Sequence, residues 1–68
     1  MLDFDVLFDY LVDDCVITIF DVNKGEDIEK NLSIDEARNY FEENSYNLCS
    51  IEPTPNVYFG ITLNVEEE

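Results

Sequence analysis

The segment Asp21-x-Asn23-x-Gly25-x-Asp27-x-Glu29 sets oxygen-bearing side chains at alternate positions, interrupted by Gly25, in superficial likeness to a loop that wraps a calcium ion. The likeness ends where affinity would be made. Such a loop wants glycine at its sixth position and a bidentate glutamate at its twelfth, and here those places hold Glu26 and Leu32. A hairpin turn built from turn-forming residues accounts for the segment instead. The adjacent carboxylates Glu42 and Glu43 suggest acid and base work on glycosides, but neighbours on a helix point in different directions and the chain has no tryptophan to stack on a sugar. Cys15 and Cys49 form no CxxC pair and have apolar neighbours, with no cation close by to lower a thiol pKa, so both are expected as reduced, mostly buried thiols. The chain also lacks histidine, which removes the usual base near neutral pH and the usual partner of a zinc cysteine. Its two glycines stand far apart, so no phosphate loop can form. These residues predict no enzyme, no cofactor and no metal site.

What the sequence has in quantity is negative charge. Among 68 residues, 17 Asp and Glu face 3 Lys and Arg, a formal net charge of -14. Direct binding of DNA or RNA is excluded on this count by phosphate repulsion, and anionic membranes repel the chain for the same reason. No apolar run approaches the roughly 18 residues that span a bilayer. The opening segment MLDFDVLF is acidic where a secretory signal is basic, so a cytoplasmic protein is expected. A chain of this length buries only about 60% of its unfolded surface, which allows one small domain and no deep catalytic cavity. A composition of 46% hydrophobic and 13% aromatic residues is nevertheless too apolar for a disordered acidic tail.

The elements that must carry these charges follow from periodicity. Residues 2–12 fit two patterns: apolar residues at every even position suit a strand, while Leu7 and Leu11, with Asp5, Asp9 and Asp13 opposite, suit a helix. Asp3 as an N-cap, and the lack of Gly or Asn at Asp13-Asp14 for a tight hairpin, favour the helix. Residues 15–22 are β-branched and apolar on both faces, as in a central strand. A turn over 23–25 leads to a weaker strand over 27–31. Ser33-Ile34-Asp35-Glu36 is a capping box that opens a helix over 34–43, with Ile34, Ala37, Tyr40 and Phe41 inward. Arg38 is expected to pair within that helix with Asp35 and Glu42. A strand over 48–51, a proline turn over 53–56 and an alternating strand over 57–65 complete the pattern, with Gly60 a bulge or a point of close approach. The prediction is an α+β domain over 1–65, order α-β-β-α-β-β, with an antiparallel sheet covered on one face by helices and an acidic tail over 66–68.

Several carboxylates sit where local rules disfavour them. Asp13-Asp14 and Glu42-Glu43 fall at the expected C-terminal ends of the helices, against the macrodipole, and Asp5, Asp9 and Asp13 repel one another at i,i+4 spacing. Rules broken in a domain with little stability to spare mark function. The candidate partner-binding residues are therefore Asp5, Asp9, Asp13, Asp14, Asp35, Glu36, Glu42 and Glu43, with Tyr46 and Tyr58 as aromatic anchors. A compact chain of this length is roughly 28 Å across, and B-DNA carries about 16 charges over that distance, the same order as the charge here.

Small size, extreme acidity, carboxylates interleaved with Phe4, Phe8, Tyr10, Tyr40, Tyr46 and Tyr58, and the lack of catalytic equipment together resemble the small inhibitors made by phages and mobile elements. That group includes the nucleic-acid mimics that block restriction enzymes, CRISPR effectors and DNA glycosylases. The resemblance is one of composition along the whole chain, without a shared motif, and it assigns no residue a role. It implies occlusion of the cationic groove of a basic nucleic-acid-binding protein. The alternative is an immunity or antitoxin module, or a subunit, that binds a basic protein without mimicry. A homodimer through the final strand, as an exposed edge, is also open.

Overall fold

The computed structural model describes residues 4–68. Its elements are α1 (Phe4–Tyr10), β1 (Val16–Asp21), β2 (Glu26–Leu32), α2 (Ile34–Glu43), β3 (Tyr46–Pro53) and β4 (Gly60–Glu67). This is the expected α-β-β-α-β-β order, and within the ambiguous segment the described residues Phe4–Tyr10 are helix. The helix is shorter than its apolar pattern, because Leu11 N–H turns back to Phe8 O and the chain leaves through a turn in which Cys15 N–H meets Val12 O. Asp3, the expected cap, lies outside the described residues. The capping box forms as read: Ser33 Oγ accepts from Glu36 N–H (3.2 Å) and Glu36 Oε1 accepts from Ser33 N–H (3.0 Å).

The four strands lie in the order β2-β1-β4-β3. The hairpins β1–β2 and β3–β4 are antiparallel, but β1 and β4 run parallel, so the sheet is mixed and the expectation of an antiparallel sheet is corrected. The direction follows from the chain path: α2 starts at the end where β2 finishes and carries the chain to the opposite end, so β3 runs in the direction of β2 and β4 in the direction of β1. On the edge of β1 that β2 leaves open, β4 sets Ile61 beside Ile17 and Leu63 beside Ile19. β3, with an exposed second half, takes the edge. The core joins Ile17, Ile19, Leu63 and Val65 of the sheet to Phe8 and Ala37 of the helices, which pack on that one face. Phe4 and Phe41 stack at 3.9 Å between centroids and close the layer.

Other expectations shift at the strand ends. Val57 and Phe59 belong to the proline turn rather than to the last strand; Asn56 and Phe59 are left-handed at φ 63° and 57°. Gly60 is a point of close approach, since a Cβ there would lie 2.7 Å from Val57 Cβ. Glu66 and Glu67, read as tail, are paired in β4 opposite Asn47 and Tyr46. β4 is a central strand, so it offers no edge for a second copy; the edges are β2 and β3. Cys15 is buried, whereas Cys49 is exposed at a register shift in β3, because the extra residue of a bulge has no partner opposite it.

Candidate functional site

The parallel pairing of β1 and β4 gives the molecule two distinct ends. At one end lie the starts of β1, β4 and α2, the ends of β2 and β3, and the chain leaving α1. Here Asp9, Asp13, Asp35 and Arg38 line a cleft of about 360 Å³ floored by Phe8, Leu11 and Ile34. Asp14 is exposed in the same α1–β1 connection. The connection is tied to the proline turn, Val16 N–H donating to Phe59 O at 3.1 Å. Tyr58 is 85% exposed and meets Phe59 edge-on with centroids 4.4 Å apart.

The opposite end gathers Glu43, Glu67 and Glu68 around Asn44, Ser45 and Tyr46, in a second cleft of about 280 Å³. Glu42 faces Asp5 and Arg38 across a smaller groove between the helices. The ten predicted residues therefore divide between two acidic poles and the helix seam that joins them. Glu67 and Glu68 join this end through the register of β4 against β3, which residue types alone do not reveal. Tyr46 opens a strand and packs its ring near Tyr40 and Phe41, with centroids 6.0 and 6.2 Å away, while Tyr58 stands free of the core.

Arg38 departs from its predicted role. Its guanidinium leaves its own helix, donating from Nη1 to Asp5 Oδ1 (3.2 Å) and from Nη2 to Asp9 Oδ1 (2.7 Å), and lies 5.6 Å over the Phe8 ring. The hydrogen bond to Asp9 holds the guanidinium even further above its usual pKa. Two of the predicted carboxylates are thus answered by a cation. The remaining cations are also paired, Lys24 with Glu67 at 3.8 Å and Lys30 with Asp27 at 3.6 Å. Glu36 is held below the usual carboxylate range, first by the Ser33 backbone N–H, which makes it a structural cap as well as an exposed charge. Asp13, Asp14, Asp35, Glu42 and Glu43 are exposed.

The calcium-like segment is a turn. Asp21 is 1% exposed, and its Oδ1 accepts from Asn23 N–H (2.9 Å) and Lys24 N–H (3.1 Å) while its Oδ2 is buried without a partner. Gly25, at φ 69°, closes the turn by donating to Asp21 O. Among the described residues no group of three or more ligating side chains is placed to hold a metal ion, and no helix is long and apolar enough to cross a membrane. No family model, curated protein or solved structure matches this chain.

Proposed function

We propose that this protein is a non-enzymatic inhibitor that occludes the cationic groove of a nucleic-acid-binding host protein, its carboxylates standing where phosphates would bind. One observation carries the reading. All three cations are engaged by neighbouring carboxylates, so a net charge of -14 is carried by a body of 28 × 23 × 19 Å without a free positive patch among the described residues. B-DNA presents about 16 charges along a 28 Å axis. Such a surface steers toward a phosphate-binding groove and competes with its ligand. Asp13, Asp14 and Asp35 at one end, and Glu42 and Glu43 toward the other, supply the phosphate-like charge, and Tyr58 is the aromatic anchor.

The test is capture of partners from a bacterial lysate, washed at rising salt with and without added DNA. A nucleic-acid-processing protein that is released by DNA supports mimicry. A partner held equally with nucleic acid bound overturns mimicry in favour of a plain binding module. The variant Asp13→Asn, Asp14→Asn, Glu42→Gln, Glu43→Gln spares the Arg38 pairs and is expected to weaken capture by about tenfold or more.

A further inference from the structure

The two edges of the sheet differ. β2 carries Glu26, Asp27, Glu29 and Lys30, charges that discourage another strand from adding there. β3 has no charged residue from Tyr46 to Ile51, and its stretch from Cys49 to Pro53 is exposed. The bonds flanking the β3–β4 ladder decide which main-chain groups of β3 are free. Thr54 N–H donates to Gly60 O (2.9 Å) and Glu68 N–H to Ser45 O (3.5 Å). Alternation inward from both bonds, with the bulge at Cys49 absorbing the odd residue, turns the N–H and C=O of Leu48 and Ile51 away from β4. Pro53 falls on the same outward register, where its missing N–H costs the ladder nothing. Carboxylates bracket this neutral edge: Glu52 at one end, and Glu43, Glu67 and Glu68 around the cleft beside Tyr46 at the other.

We propose that the β3 edge takes up an extended segment of a partner protein as an added strand, with neutral residues along Leu48 to Ile51 and lysine or arginine at its flanks. Charge selects this occupant over a second copy, which would set one -14 body against another. The inference rests on the proposed function only for the partner being cationic.

The test is residue-resolved amide hydrogen exchange on the whole chain with a synthetic peptide of about eight residues, within the usual strand range, alternating valine and threonine between terminal lysines. Exchange at Leu48 and Ile51 should slow by about tenfold or more, while Ser50 and Glu52, already bonded to β4, change little. A peptide of equal charge with alternate amides N-methylated should bind about tenfold or more weakly, because it lacks the strand donors. Equal binding of the two peptides, or no slowing at Leu48 and Ile51, overturns the proposal. So does slow exchange there in the peptide-free protein together with a dimer mass, which would put a second copy on the edge. None of these readouts involves nucleic acid, so mimicry and strand addition fail separately.

Discussion

Arg38 reaches from one helix to two aspartates of the other, and it turns a like-charged i,i+4 pair into a clamp between helices. Arg38→Gln keeps polarity but leaves Asp5 and Asp9 facing each other. Thermal melts followed by circular dichroism should show a midpoint lower by on the order of a few degrees at low salt, and the gap should narrow as salt screens the exposed charges. Tyr40 gives the fold an alkaline limit. Burial, then its hydrogen bond and proximity to Tyr46, hold its hydroxyl well above the ordinary tyrosine pKa of 10.0. The folded protein therefore keeps this proton longer than the unfolded chain. The stabilisation is complete below about pH 10 and is lost as pH rises from there through the folded pKa. Urea titrations between about pH 9 and 11 should show stability falling across that window, and Tyr40→Phe should flatten the fall.

At the scale of elements, α2 was legible because its start is written in contiguous residues. Ser33 and Glu36 satisfy each other's backbone N–H groups, and the helix runs over Ile34–Glu43 as the pattern predicts. Ser33→Ala should destabilise by about 0.5–2 kcal/mol in denaturant titrations. It should relieve the depressed pKa of Glu36 only in part, because the Ser33 backbone N–H, the larger cause, is kept; the contribution tied to that depression is present above the ordinary glutamate range and fades as pH falls through the folded value. Gly60 was legible as a tight spot but not for its partner. Gly60→Ala drives a methyl into Val57 within the proline turn and should cost about 1–3 kcal/mol. The parallel pairing of β1 with β4 was not legible. Alternation fixes which residues face the core, but Ile61, Leu63 and Val65 would face it equally in an antiparallel sheet. The reach of Arg38 was hidden for a related reason, since helical spacing sees only partners on the same helix. The acidic poles were half visible, as residue types without their grouping.

At the scale of the whole molecule, self-repulsion opposes folding, and the stability of this chain should rise with salt where most small domains respond weakly. Melts between low salt and about 0.5 M sodium chloride should climb, and the Asp13→Asn, Asp14→Asn, Glu42→Gln, Glu43→Gln protein should start higher and climb less. An equal salt response in both proteins would mean that these four charges do not strain the fold. The central place of β4 also orders events during synthesis. Until residues 60–67 have left the ribosomal tunnel, β1 has only its hairpin partner and β3 has no neighbour at all. The core side chains Leu63 and Val65 arrive with that same stretch, so the local β1–β2 hairpin and α2 can form ahead of it but the sheet and its core can close only once residues 60–67 are free to pair.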